Sequence, residues 1–172
     1  MLRKMHVHLI YMRLHLMQAH MMSGVSDRRL DEHVLDAWRG FLNAHALITR
    51  RINRDLADAG LPDLSWYDLL WALQRQPEHR LRVNELAREV VLSPTAMSRF
   101  VDRAEAAGVV RRERDPDDRR AALVALTDAG NDLLRRMWPV YAAGIQRYFG
   151  ESLGAEPVAG RELFERIAAA AR

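Results

Sequence analysis

The sequence contains no cysteine among its 172 residues. This absence excludes disulfide bonds, cysteine-ligated zinc sites, catalytic thiols and thiol redox sensors. The sequence also lacks any run of roughly eighteen uncharged apolar residues, so it predicts no membrane-spanning helix and no membrane partner. Hydrophobic residues make up 49% of the chain and charged residues 28%, which is typical of a folded globular protein. We therefore expect one domain with its own core.

Lysine is almost absent as well. Lys4 is the only lysine, and the other 25 of the 26 basic residues are arginine. Arginine forms forked hydrogen bonds to phosphate and guanine, which favours a nucleic-acid partner. A GC-rich coding bias produces the same skew, and a formal net charge of +3 is too small to separate the two explanations.

Recognisable catalytic motifs are missing too. The sequence contains no G-x-S-x-G, no H-E-x-x-H and no glycine-rich phosphate loop. Because an enzyme needs a nucleophile or metal with a partner base, we predict no enzyme activity and no cofactor. Asp115, Asp117 and Asp118 form an acidic cluster. No other ligand type accompanies them and aspartate is common in turns, so we predict a turn and not a metal site.

Residues 1–29 are predicted to form a flexible arm outside the folded domain. This segment is rich in methionine and in histidine, namely His6, His8, His15 and His20. The histidines have no neighbouring carboxylate and no repeated i, i+4 spacing, which argues against a metal site. No cleavage site follows, which argues against a signal peptide. A start of translation at Met21 or Met22 is an alternative interpretation.

The rest of the chain has mainly helical periodicity. Apolar residues recur in steps of three and four from Asp31 to Asp58, which predicts a helix of about seven turns. A small domain cannot cover a helix of that length, so part of it is expected to pack on a second subunit. Further helices are predicted at residues 66–74, 85–90, 94–107, 128–149 and 158–171, with Ser65, Asn84, Ser93 and Thr127 as N-caps.

The segments 85–90 and 94–107 are typical of a helix-turn-helix. Pro94 suits the first helical position of the second helix. That helix directs Ala96, Phe100 and Val101 inward and leaves polar residues outside. Two predicted strands, 109–112 and 122–126, follow at once with a turn between them, and a hairpin in that position is a wing. The predicted fold is therefore mainly α with a small β-wing.

The stretch from residue 81 to residue 130 strongly resembles the MarR family of winged helix-turn-helix transcriptional regulators. The resemblance rests on LRVNELA, LSPTAMSRFVDR, AAGVVRRE and DDRRAALVALT. It also includes a wing pattern formed by Asp118, Arg120, Val124, Leu126, Thr127 and Gly130. The flanking helices fit the family's layout and extend the resemblance to residues 30–171.

The resemblance implies a domain over residues 30–172, with a winged helix-turn-helix at 63–127 and dimerisation helices at 31–58 and 131–171. It implies a homodimer that binds a palindromic operator in double-stranded DNA. We expect a cytoplasmic bacterial repressor, associated with the nucleoid through its DNA, that a small aromatic or anionic ligand releases. An activator without ligand response and a winged-helix protein-interaction module are the alternatives.

The same resemblance implies the DNA contacts. Arg99 lies one turn into the recognition helix and could present its fork to guanine, although a phosphate contact or an ion pair with Asp102 is also possible. In the wing, an aspartate is expected to hold an extended arginine for the minor groove. The complete predicted set is Ser93, Thr95, Ser98, Arg99, Arg103, Asp118, Arg119 and Arg120.

Many members of this family bind an aromatic anion beside the DNA-binding lobe, which suggests a ligand pocket here. Its predicted lining is Trp38, His45, Arg50, Tyr67 and Trp71, with Arg50 or Arg99 supplying positive charge. Aromatic residues at helical spacing are usually core residues, however. The pattern alone therefore favours Trp38 and Trp71 in the core and His45 buried.

Overall fold

The computed structural model describes residues 30–115 and 122–171, which fall into two units that divide between Leu47 and Ile48. The predicted fold class, mainly helical with a small antiparallel sheet, is confirmed. In chain order the elements are α1 (Glu32–Asp58), α2 (Leu64–Gln74), β1 (Arg80–Arg82), α3 (Val83–Glu89), α4 (Pro94–Ala106), β2 (Val110–Arg114), β3 (Ala122–Leu126), α5 (Asp128–Ile145) and α6 (Pro157–Ala170). A π-helical turn (Gln146–Gly150) and a short helical turn (Glu151–Leu153) separate α5 from α6.

Two of the predicted N-caps are confirmed. The Ser93 hydroxyl accepts a hydrogen bond from the backbone N–H of Ala96 at 3.2 Å, and this bond satisfies one of the unpaired donors at the start of α4. The Thr127 hydroxyl does the same for Gly130 at the start of α5, at 3.1 Å. These caps place the first turn of each helix directly after the turn or strand that precedes it.

The other two predicted caps were wrong. Asp63 caps α2, and its carboxylate accepts from the backbone N–H of Ser65 at 3.1 Å. Arg82 is the cap residue of α3, and its backbone N–H donates to Glu85 at 3.0 Å. Each helix therefore begins earlier than the sequence pattern indicated. Aspartate is a favoured N-cap residue, so the signal at Asp63 was present but was assigned to Ser65, whereas Arg82 has no side-chain preference for the cap position.

The sheet contains a strand that the sequence analysis did not pair. The strand order is β1-β3-β2, with both pairs antiparallel. Leu81 of β1 lies opposite Val124 of β3, and Arg112 of β2 lies opposite the same Val124 from the other side. Because β3 is the central strand, Val124 is fully buried. The wing is thereby attached to the segment that leads into α3.

Helix α4 is held in the core of the C-terminal unit by one apolar face. Met97, Phe100, Val101 and Ala104 are buried, at helical spacings of three and four residues. Met97 thus occupies the inward position that the sequence analysis gave to Ala96. Burying side chains of this size contributes about 1.5–3 kcal/mol each for the larger members, so the rotation of α4 about its axis is well determined.

Several large apolar side chains remain exposed. Trp38 and Trp71 are 47% and 49% exposed, so their predicted core positions were wrong. His45 is also exposed and not buried. Exposed apolar residues recur along α1 and along α6, namely Val34, Trp38, Phe41, Val158, Leu163 and Ile167. Among the described residues, no helix is long and apolar enough to cross a membrane.

Gly130 in the first turn of α5 occupies a position that has no room for a side chain. A Cβ atom there would lie 2.1 Å from the carbonyl oxygen of Val109 and 2.7 Å from Cδ1 of Leu126. The close approach allows α5 to start directly beside β2 and β3. This packing is the physical reason for the glycine that ends the wing pattern of the sequence.

We expect Gly130→Ala to lower the free energy of unfolding by about 1–3 kcal/mol, because the backbone must shift to admit the methyl group. Gly40→Ala is the matched control, since nothing lies within 4 Å of its Cβ position in α1. That variant should be about 0.5–1 kcal/mol more stable than the wild type, because alanine favours helix. Urea unfolding measures both, and a neutral Gly130→Ala would contradict the packing argument.

Candidate functional site

The outer face of α4 carries the residues that the sequence analysis assigned to DNA. Ser93, Thr95, Ser98, Arg99 and Arg103 are all exposed. The buried stripe of the helix faces away from them, so these side chains project from the protein together. The arrangement is suited to insertion into a groove, because these exposed polar side chains lie on one face that includes the N-terminal end of the helix.

Arg99 and Arg103 differ in their surroundings. Arg99 forms no ion pair with any described residue, so the suggested pair with Asp102 is not formed. Arg103 places its guanidinium carbon 4.9 Å from the centre of the Phe100 ring, which is a cation–π contact within the helix. Arg99 is therefore the more available of the two for an external partner.

Arg112 of β2 joins the wing to the recognition helix α4. Its guanidinium pairs with Asp102 at 2.6 Å and also with Glu105, while its backbone N–H donates to Glu105 at 2.8 Å. A longer bond reaches the carbonyl oxygen of Ser98 at 3.4 Å. We call this set the Arg112 bridge. It ties the outer face of α4 to β2 and engages both acidic side chains of α4.

The Arg112 bridge lowers the pKa of the Glu105 carboxyl. The main cause is the hydrogen bond from the backbone N–H of Arg112, and the bond from the Arg112 guanidinium adds to it. Both stabilise the ionised carboxylate relative to the acid. The sequence analysis missed Arg112, although its position two residues after buried Val110 on the same strand places both side chains on one face of the sheet.

The base of the wing is held by a second ion pair. Asp115 is buried, and its carboxylate accepts from Nε of Arg82 at 2.6 Å. Asp115 was predicted only as a turn residue, and no sequence signal linked it to Arg82, which lies 33 residues earlier. The predicted wing residues Asp118, Arg119 and Arg120, like Asp117, lie outside the described residues, so their roles stay predictions.

A pocket of about 800 Å³ opens between α2 and α5. Helix α2 contributes Tyr67, Asp68, Trp71 and Gln74 to its lining. Helix α5 contributes, among others, Arg135, Trp138 and Tyr141. Tyr67 and Trp71 of the predicted pocket are thus brought together, whereas Arg50 and Arg99 are not among the lining residues. The pocket has a volume suited to a small organic molecule.

Four aromatic rings form the wall of this pocket. The Tyr67 ring lies nearly parallel to Trp71 and to Trp138, with centroids 6.3 and 6.2 Å apart, and Tyr141 meets it edge-on at 4.9 Å. Burial raises the pKa of Tyr67 and of Tyr141, and the negative charge of Asp68 adds to both shifts. Both phenols therefore stay protonated at neutral pH.

The two remaining predicted pocket residues lie in the N-terminal unit. Trp38 stacks on Phe41 with ring centroids 5.8 Å apart, and Phe41 lies 6.4 Å from the ring of His45. Their assignment to a ligand stays a prediction. Within the described ranges 30–115 and 122–171, no group of three or more histidine, aspartate and glutamate side chains is arranged to hold a metal ion.

Comparisons with known proteins agree on one family. The sequence profile described as MarR family matches residues 59–121. The crystal structure of AbsC, a MarR family transcriptional regulator from Streptomyces coelicolor, is 30% identical, with a TM-score of 0.75 over 85% of this chain and 99% of that one. Sco3205, a MarR family regulator of the same organism crystallised in complex with DNA, is 33% identical, with a TM-score of 0.74 over 83% and 90%.

A curated relative gives the same result. The uncharacterised helix-turn-helix transcriptional regulator YkoM of Bacillus subtilis (strain 168) is 26% identical over 118 residues, which is 69% of this chain and 75% of that protein. The matches to AbsC and Sco3205 extend well beyond the helix-turn-helix, since each covers more than four-fifths of this chain.

We expect Glu105→Gln to lower the melting temperature by a few degrees at pH 7, because the charge-assisted bonds to Arg112 are weakened. The pKa of Glu105 is lower in the folded protein than in the unfolded chain. The ionised carboxylate therefore stabilises the fold at any pH above the ordinary glutamate pKa, and this stabilisation is lost as the pH falls through the pKa of Glu105 in the folded protein. The difference between variant and wild type should therefore vanish in acid.

Asp36→Asn is the control for this experiment, because Asp36 forms an exposed ion pair with Arg39 one turn away in α1. That substitution should change stability little at any pH. Thermal unfolding followed by circular dichroism between pH 3 and pH 7 measures both variants. Equal stability of Glu105→Gln and wild type at pH 7 would contradict the role given to the Arg112 bridge.

Proposed function

We propose that this chain, which belongs to the MarR family of transcriptional regulators, acts as a homodimeric repressor. It would bind a palindromic operator and dissociate from it when a small molecule binds. The observation that carries the proposal is the exposed face of α4, where Arg99 stands without an ion-pair partner among the described residues. A guanidinium in that state keeps its full hydrogen-bonding capacity for a guanine edge or a phosphate.

The surroundings of α4 support a DNA-binding role. The Arg112 guanidinium offsets one of the two negative charges of Asp102 and Glu105, which reduces their repulsion of the phosphate backbone. It also fixes α4 relative to the strands of the wing, so that helix and wing can approach adjacent grooves together. The relative Sco3205, which was crystallised in complex with DNA, is similar to this chain over most of its length.

Exposed apolar faces support a homodimer. Val158, Leu163 and Ile167 are between 45% and 59% exposed on α6, and Val34 and Trp38 are comparably exposed on α1. A monomer gains nothing from exposing such faces in water, whereas a second copy could bury them. A two-fold dimer would place its two α4 helices about one helical turn, roughly 34–36 Å, apart on DNA.

The pocket between α2 and α5 supports control by a ligand. Helix α2 also packs against β1 and β3, so it connects the pocket to the sheet that carries the wing. In one conformer of the dimer the spacing of the two α4 helices would not match the operator. A molecule that binds this conformer more tightly than the DNA-binding conformer lowers operator affinity, by a factor set by the ratio of its affinities for the two conformers. Repression released in this way requires no covalent chemistry.

Arg99→Ala should weaken operator binding by roughly 5- to 150-fold in Kd, which corresponds to losing about 1–3 kcal/mol of base recognition. Arg120→Ala should weaken it as well if the wing enters the minor groove. Arg54→Ala, an exposed arginine of α1 outside the winged helix, is the control and should bind like the wild type. Gel-shift titration with the DNA upstream of the gene measures all three.

Wild-type affinity in both Arg99→Ala and Arg120→Ala would overturn the proposed DNA contacts. If the wild type itself fails to bind that DNA at low salt, the alternative of a protein-interaction module is favoured instead. The logarithm of the affinity should fall linearly with the logarithm of salt concentration, with a slope set by the number of phosphate contacts.

In sedimentation analysis we expect the protein to have twice the mass of the 19.8 kDa chain. Ile167→Glu should shift it toward the monomer, because a charge would have to be buried against the partner. Arg166→Glu places the same charge at the neighbouring position and serves as the control. A stable monomer at micromolar concentration would contradict the proposed homodimer.

A further inference from the structure

We propose that the pocket between α2 and α5 takes an organic cation, namely a flat apolar or aromatic molecule that carries a protonated nitrogen with N–H groups. The proposal rests on the ligand-responsive part of the proposed function and names the chemical class of that ligand. It replaces the aromatic anion that the family resemblance suggested, because the one lining charge without an ion-pair partner among the described residues is the carboxylate of Asp68.

The charge of the pocket is the first argument. Asp68 is the one acidic side chain in its lining and Arg135 the one basic side chain. Arg135 already pairs with Asp132, which lies one turn earlier on α5. Asp68 has no such partner among the described residues. The charge left available to a ligand is therefore a carboxylate.

The state of Asp68 is the second argument. Asp68 is exposed to solvent. Desolvation by the surrounding side chains and the charge of the neighbouring Asp63 raise the pKa of its carboxyl. Both effects disfavour the ionised form, and no described residue forms an ion pair with Asp68 that would offset them. Because water screens an exposed carboxylate, its ionisation lowers the stability of the fold only slightly at neutral pH. A cationic ligand would supply the missing opposite charge.

The third argument is that the lining of the pocket also contains an unsatisfied acceptor. The amide oxygen of Gln74, six residues after Asp68 on α2, is buried and has no hydrogen-bond partner among the described residues. A buried acceptor without a donor costs about 1–3 kcal/mol. A ligand N–H group would satisfy it, whereas a ligand carboxylate would place another acceptor against it.

The aromatic wall is the fourth argument. Trp71 and Trp138 are 49% and 51% exposed, while Tyr67 between them is buried and forms the floor. The faces of these rings carry partial negative charge, and tryptophan attracts cations most strongly among the aromatic side chains. Ring faces and carboxylate therefore favour the same sign of ligand charge, and the rings also bury a flat apolar body.

An anionic ligand would meet a different set of contacts. The two arginines expected to neutralise an anion, Arg50 and Arg99, do not line the pocket. The charge of Arg135 is already offset by Asp132, and an anion that shared this guanidinium would still lie in the same pocket as Asp68. Repulsion of like charges in a partly desolvated site makes that arrangement unfavourable.

Three compounds of nearly the same shape test the proposal: benzamidine, which is a cation, benzamide, which is neutral, and benzoate, which is an anion. Isothermal titration of the full-length protein without DNA measures their affinities. We expect benzamidine to bind at least about tenfold more tightly than benzoate, with benzamide between them. Asp68→Asn should abolish this order, whereas Asp58→Asn, an exposed carboxylate of α1 outside the pocket, should preserve it.

Acidification provides a second readout. Benzamidine affinity should fall as the pH is lowered through the raised pKa of Asp68, because benzamidine remains a cation over that range. The other groups that face Asp68 are Asp63, Tyr67, Tyr141 and Arg135; the phenols stay protonated and the guanidinium charged. Loss of affinity should therefore follow the carboxyl.

Thermal unfolding shows whether Asp68 acts by its charge. A raised folded pKa means that the ionised carboxylate opposes folding at neutral pH, and since Asp68 is exposed the effect is small, so Asp68→Asn should melt slightly higher than the wild type at pH 7. The gain should disappear below the ordinary aspartate pKa, where both side chains are neutral. Asp58→Asn should show no comparable gain.

Benzoate binding as tight as benzamidine binding, or benzamidine binding unchanged in Asp68→Asn, would overturn the proposal. Binding of none of the three compounds would also overturn it and would indicate that a second subunit covers Trp71 and Trp138. Because these titrations contain no DNA, their failure leaves operator binding untouched. Conversely, cation binding without an effect on the gel shift would contradict only the regulatory part of the proposed function.

Discussion

The Arg112 bridge is the interaction on which the arrangement of the DNA-binding surface depends. One guanidinium contacts Asp102 and Glu105 on α4 while its own strand pairs with β3, so the recognition helix and the wing are connected by charge as well as by the sheet. Apolar packing alone sets the rotation of α4, through Met97 and Val101. The bridge adds the connection to β2 and leaves Arg99 free of acidic partners among the described residues.

The sequence predicted the order of the elements well because local rules determine most of it. Ser93 and Thr127 begin their helices through their own side-chain hydroxyls, and both act where the sequence placed them. The buried face of α4 followed from helical spacing. The role of Gly130 became clear only in the structure, since the atoms that exclude a side chain there belong to Val109 and Leu126.

What the sequence could not predict depends on contacts between distant residues. Arg82 and Asp115 are 33 residues apart, and neither carries a local signal of the pair. The aromatic residues were misjudged for the same reason. Helical spacing does not distinguish a buried ring from one at the edge of a pocket, so Trp71 was expected in the core although it is half exposed. The sequence alone did not indicate which charge in the pocket is available to a ligand, because this depends on the pairing of Arg135 with Asp132 that the structure shows.

The two functional regions use charge in opposite ways. Around α4 the Arg112 guanidinium offsets part of the acidic charge, which reduces repulsion of a polyanion. In the pocket the basic side chain is neutralised and Asp68 is left in a position that raises its pKa, at some cost to stability. Both regions lie in the unit that begins at Ile48, and α2 packs against the sheet as well as against α5. This connection gives the pocket a physical route to the wing.

Hydroxyl-radical footprinting of the upstream DNA with the full-length protein shows whether two α4 helices bind side by side. We expect two protected regions related by two-fold symmetry, with centres about 10–10.5 base pairs apart, because two copies of α4 would occupy successive major grooves. A single protected region, or protection without symmetry, would contradict it.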